Sequence, residues 1–168
     1  VRSLQLLGEL NLSFDLCLRA GELADAVQLV DQCPETLFII DHCGNADPQA
    51  FLPESRRSGR PSHDPDTWRR TMEALARRPH VACKISGIVA RAPRPHWGPD
   101  DLAPIVNHCL DLFGPERALF GSDWPVCRVR AELADWVQAL RAIVRQRPLD
   151  EQRQLFSLNA RRWYRLDA

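Results

Sequence analysis

The chain has 168 residues, 45% of them hydrophobic and 26% charged, with 22 basic residues against 22 acidic ones and no net formal charge. A chain near ~150 residues buries roughly 70% of its unfolded surface, enough for one domain with a true core. The charge balance excludes the basic excess of a nucleic-acid surface, and no apolar run approaches the ~18 residues of a membrane span.

In chain order, the opening stretch VRSLQLLGELNLSF has neither the long apolar core nor the small-residue cleavage site of a secretory signal. LSFDLCL (12–18) reads as a strand. GELADAVQLVDQC (21–33) carries Leu23, Ala26, Val27 and Val30 at helical spacing. TLFIIDHC (36–43) is a short β-branched and aromatic run, the pattern of a buried strand. A loop rich in Pro, Ser, Gly and Arg follows from Gly44 to about Pro65. The next helix begins at DPDTWRR, capped by Asp64 or Asp66, and ends before Pro79. HVACKIS (80–86) is a third strand and GIVARAPRPHWGP a proline-rich loop. DDLAPIVNHCLDLFG (100–114) is a helix closed by Gly114. RALFGSD (117–123) is a fourth strand. Helices are expected over 131–146 and 149–164.

Strands alternating with helices imply parallel βα units in one domain. Two closures satisfy the pattern: an open doubly wound sheet, or half of a (β/α)8 barrel, which needs roughly 250 residues in full. The chain starts at Val1, and Met72 is its only methionine. It is therefore expected to be a fragment, a processed form or an incomplete gene model. Cys17, Cys33, Cys43, Cys83, Cys109 and Cys127 include no C-x-x-C pair. They are expected to be free thiols, four of them in or beside apolar runs, in a reducing cytoplasm.

Chemistry in parallel βα folds collects at the C-terminal strand ends. Here the first strand ends near Cys17 with Arg19 just beyond it, the second in Asp41-His42-Cys43, the third in Lys84-Ile85-Ser86-Gly87, the fourth in Ser122-Asp123. His42, Lys84 and Asp123 are thus expected to face one opening. Each also has a structural reading: Asp123 as a turn residue before Pro125, His42 as a core histidine bonded to a carbonyl. Lysine is almost never fully buried unpaired, so Lys84 is expected to meet a carboxylate or a polar pocket. Arg19 could clamp a substrate carboxylate. Strand alternation would point Asp41 away from His42 and make it structural. G-x-S-x-G, G-x-G-x-x-G, Walker A and H-E-x-x-H patterns are all absent from the sequence.

FIIDHCGNADP, then PHVACKISGIV, then LFGPERALFGSDWPV, then NARRWYRL occur in that order. With these pieces the whole chain resembles the amidohydrolase-2 branch of the amidohydrolase superfamily, and within it the sugar-lactone and 2-pyrone-4,6-dicarboxylate lactonases. The resemblance implies an α/β fold: residues 1–168 as the C-terminal half, about four βα units, of a (β/α)8 TIM barrel. It places His42 on strand six (strand five by another count) and Asp123 on strand eight.

It further implies a hydrolase that opens a lactone or related cyclic ester. Asp123 is then the base that activates water, His42 the carbonyl polariser and Lys84 a substrate or oxyanion contact; Arg19 and Trp124 are further candidate substrate contacts. His42 and Asp123 are the implied ligands of one divalent metal, zinc or manganese, although members that work without metal also exist. A small molecule is the expected partner, with neither nucleic acid nor membrane, and a homo-oligomer is possible. The His-x-His pair of the superfamily's first strand is absent here, and Asn45 stands where many relatives carry Lys. The competing expectation is a half barrel without activity, serving as a binding or assembly module.

Overall fold

The run Leu37–Ile40 contains no polar residue, and Phe38, Ile39 and Ile40 are fully buried. A strand buried on both faces belongs inside a parallel sheet. The computed structural model describes residues 1–166 and shows such a sheet. Strands β1 (Ser13–Leu16), β2 (Leu37–Ile40), β3 (Val81–Ile85) and β4 (Ala118–Phe120) pair in parallel, in spatial order β1-β2-β3-β4. The register aligns Leu16 with Ile40, Ile40 with Cys83, and Cys83 with Ala118. All four lie within the runs the sequence predicts, each shorter than expected because the chain turns out of the sheet soon after its apolar residues end.

Helices fill the connections. Helix α1 (Arg2–Glu9) precedes the sheet, where the sequence pattern suggested no element. It packs closely: a Cβ on Gly8 would lie 2.9 Å from the Glu35 carbonyl oxygen. Helix α2 (Leu23–Asp31) follows β1. The loop after β2 contains two short 3-10 turns, Pro48–Phe51 and Glu54–Arg56. It is pinned by the Asp47 carboxylate, which accepts from the backbone N–H groups of Gln49 and Ser62.

Helix α3 (Pro65–Ala76) is capped by Asp64, whose carboxylate accepts from Thr67 N–H, with Pro65 at its first position. Helix α4 (Pro99–Arg117) is interrupted at Gly114, which takes φ 69°. Helix α5 (Leu133–Val144) follows β4. The final helix, α6 (149–163), contains a wide turn, Gln154–Leu158.

Alternate strand residues serve two faces. Phe38, Ile40, Val81, Cys83, Ile85 and Ala118 face the helices and form the main core with Trp68, Leu102, Ile105 and Trp136. Ile39, Ala82 and Leu119 face the other way and are covered by Trp163. The chain end crosses this second face from β4 to β1. Trp163 Nε1 donates to the Glu116 carbonyl, and the Tyr164 hydroxyl donates to Asp15 at 2.6 Å.

Asn159 anchors that crossing. It is fully buried, and its amide donates to the carbonyls of Pro115 and Ala118 at 2.7 and 2.6 Å. Asn159→Ala leaves both carbonyls without this partner. It is expected to cost about 2–3 kcal/mol, measured as a lower urea midpoint with unchanged m-value.

Candidate active site

The site forms where the chain leaves the strands. After Asp41 the backbone winds into a left-handed turn: φ is 56° at His42, 52° at Cys43, 64° at Gly44 and 51° at Asn45. Asp123, after β4, also has a positive φ of 52°. Left-handed backbone at a non-glycine residue costs roughly 1–3 kcal/mol and persists where surrounding structure enforces it. Here two buried indoles do so. Trp68 Nε1 donates to the Cys43 carbonyl at 3.0 Å, and Trp136 Nε1 to the Gly121 carbonyl at 3.1 Å. Asn45, well suited to a left-handed position, donates its amide to the Leu18 carbonyl at 2.8 Å and so ties this turn to the end of β1.

The turn aims His42 at Asp123. His42 Nε2 is 3.7 Å from Asp123 Oδ1, and both side chains are largely shielded. His42 Nδ1 lies 2.9 Å from the hydroxyl of Ser86, which is itself fully buried. When Nδ1–H donates to Ser86, the Nε2 lone pair faces Asp123. The imidazole rests on Gly87, where an added Cβ would sit 2.5 Å from His42 Cγ. Burial pushes the Asp123 carboxyl above its ordinary value, and the Asp41 charge adds to this, while His42 and Lys84 oppose it.

Lys84 is the only lysine in the chain. Its ammonium is 2.6 Å from Asp41 and 3.1 Å from Asp15, and it lies 5.5 Å from the centre of the Tyr164 ring. Burial works to lower its pKa, but hydrogen bonds to Asp41 and Tyr164 outweigh that, and the amine is held above its ordinary value. Burial and the bond to Asp15 push the Tyr164 hydroxyl up to about 12. Asp41→Asn should therefore free the amine. We expect wild-type Lys84 to react slowly with an amine-directed acylating reagent. The variant should react about tenfold faster or more at pH 9, read on the Lys84 peptide by mass spectrometry.

His42, Lys84 and Asp123 thus meet at one end of the sheet, as the strand-end rule anticipates. Trp124 follows Asp123 at the rim and is 62% exposed. Arg19 stands apart: its side chain is 89% exposed and lies 3.7 Å from Glu22. Asp41 requires a correction. It is part of the site, because strand alternation ends where His42 turns left-handed. Asp15 and Tyr164 went unrecognised in the sequence. Asp15 lies on β1 one residue before its end at Leu16, which was a usable signal; Tyr164 is 149 residues from its partner, and no local pattern marks it.

Ligand atoms of Cys17, Asp41 and His42 all lie within 4.8 Å of one another. This sulfur, oxygen and nitrogen set, with Asp123 opposite His42, suits a borderline cation such as zinc. Three carboxylates, Asp15, Asp41 and Asp123, also outnumber the single ammonium. The residues fit a divalent metal.

A family model described as Amidohydrolase matches residues 2–166. The chain belongs to the amidohydrolase family. Among its relatives, L-fucono-1,5-lactonase of Burkholderia ambifaria is 32% identical over 161 residues, covering 94% of this chain and 51% of that protein. L-fucono-1,5-lactonase of Burkholderia multivorans is 33% identical over 122 residues, covering 70% and 39%. The crystal structure of an amidohydrolase from Burkholderia multivorans with bound zinc superposes with a TM-score of 0.82 at 26% identity, covering 98% of this chain and 56% of that one. The chain spans about half the length of the curated relatives it matches. Its four parallel βα units correspond to half of the family's barrel, so the half-barrel closure holds over the doubly wound one. Among the described residues, no helix is long and apolar enough to cross a membrane.

Proposed function

We propose that this chain carries the proton-transfer half of a lactone hydrolase's active site. The observation that supports it most is the placement of Asp123 and His42. Their facing atoms are 3.7 Å apart, beyond hydrogen-bond reach. A water about 2.8 Å from each can sit between them. Asp123 takes a proton from that water as it attacks the lactone carbonyl, and returns it to the ring oxygen as the tetrahedral adduct collapses and the ring C–O bond breaks. His42, oriented by Ser86, polarises the carbonyl through Nε2–H in one tautomer or holds a cation through its lone pair in the other. Lys84 stays protonated and stabilises the developing oxyanion. When a divalent cation is held by His42 and Asp123, with Asp41 or Cys17 beside them, the chemistry it supplies is Lewis acidity and a lowered water pKa.

Charge favours a neutral lactone over a dicarboxylate. Arg19, the residue that would clamp a substrate carboxylate, lies against Glu22, and the Lys84 ammonium is already paired with Asp15 and Asp41. The two lactonase relatives named for a sugar lactone agree with this reading. A panel of neutral sugar lactones and pyrone dicarboxylates, assayed beside metal analysis of the chain, tests it. Turnover confined to the neutral lactones supports the reading, and preference for the dicarboxylates refutes the substrate class.

The open sheet favours a second reading. Strands β1 and β4 each have one unpaired edge. A second copy pairing those edges would make the chain an assembly module. A folded dimer with neither metal nor turnover supports this instead.

A further inference from the structure

We propose that Cys43, Cys83 and Cys109 form a buried binding site for a monovalent soft cation, Cu(I), separate from the carboxylate and histidine site above them. The three sulfurs lie within 4.8 Å of one another, and each residue is fully buried. They come from three elements: the left-handed turn after β2, the helix-facing side of β3, and the middle of α4. Chance contact between two small apolar side chains is ordinary in a core. Convergence of three thiols from separate elements supplies a triangle of donors.

Geometry and donor chemistry choose the ion. A metal–sulfur bond of about 2.3 Å requires sulfurs roughly 4.0 Å apart in a planar three-coordinate site. All three separations are under 4.8 Å, a bound that admits that triangle. The group contains sulfur donors only. Thiolates select soft ions and reject magnesium, calcium and manganese. Structural zinc almost always takes four ligands, and the group offers three. Cu(I), satisfied by two or three thiolates, matches both the donors and their number. Each thiol that ligates the ion gives its proton to solvent, and copper changes oxidation state at no point. The ion enters during folding or through opening of the turn that carries Cys43, since the site is closed in the folded chain.

Anaerobic titration of the full 168-residue chain with Cu(I), against a chromophoric Cu(I) chelator, tests the site. One equivalent should be retained, with X-ray absorption showing sulfur alone around the copper. Loss of an outer-shell partner costs metal affinity about 10–100-fold, so Cys109→Ala and Cys83→Ala should each cost at least that. Cys33→Ala, which also removes a buried thiol, should bind as wild type. Circular dichroism reports whether each variant folds. A second measurement uses the wild type alone: in mild denaturant, Cu(I) should protect Cys43, Cys83 and Cys109 from alkylation and leave Cys33 reactive. Copper yielded entirely to the chelator, equal binding by Cys109→Ala and Cys33→Ala, or nitrogen or oxygen ligands in the absorption spectrum would overturn the proposal.

Discussion

Asp123→Asn is expected to lower lactone turnover by about 10²–10⁴-fold, the range for losing a positioned general base, while the fold stays intact. Asparagine keeps the volume and cannot accept the proton. Two pH measurements accompany this. Wild-type kcat/KM should rise with pH through a value above the ordinary carboxylate range, because burial holds the Asp123 carboxyl up. Stability should follow the opposite course. A carboxyl whose folded pKa exceeds its unfolded one favours folding at low pH, and that contribution is lost as pH rises through the folded value. Asp123→Asn should therefore become more stable relative to wild type as pH climbs from 4 to 7. Equal turnover by the variant would remove Asp123 as the base. A variant that loses stability relative to wild type as pH rises would contradict its electrostatic setting, even if no substrate has been found.

Gly87→Ala should damage both fold and site. The new Cβ would lie 2.5 Å from His42 Cγ and 2.6 Å from its Cβ and Nδ1, and the backbone there has φ 72°. The left-handed conformation costs an L-residue roughly 1–2 kcal/mol, and overpacking a rigid neighbour adds about 1–3 kcal/mol. We expect a loss of about 2–4 kcal/mol in urea unfolding. Displacement of the imidazole should also change the His42 ring signals in the NMR spectrum. Gly59→Ala is the matched control, since nothing lies within 4 Å of its added carbon. Its stability should remain within about 0.5 kcal/mol of wild type.

The four strands and the end of the sheet at which chemistry gathers were legible because both follow from periodicity. The runs 36–43 and 80–86 could scarcely be anything but buried strands, and parallel order dictates which ends share a rim. His42, Lys84 and Asp123 followed from that rule. What periodicity could not reveal is backbone hand. Alternation sets Asp41 opposite His42 on the assumption that the strand runs through His42, whereas Asp41 stays extended and the four consecutive positive φ values that begin at His42 redirect the imidazole. Nor could it reveal Tyr164 beside Asp15, a contact made only when the chain end crosses the sheet. Helix α1 is short and none of its residues is fully buried, although Leu4 and Leu7 stand at helical spacing in it and Leu4 packs against the core.

The two indoles that brace the site turns have an optical consequence. Trp68 and Trp136 are fully buried, and each donates to a carbonyl of the segment that presents His42 or Asp123. Their emission is therefore blue-shifted while the turns are intact. It moves to the red as either turn opens to water. With Trp97, Trp124 and Trp163 replaced by Phe, which leaves only these two of the five tryptophans, intrinsic fluorescence would follow the opening of the rim that carries His42 and Asp123, beside the melting of the helices seen by circular dichroism.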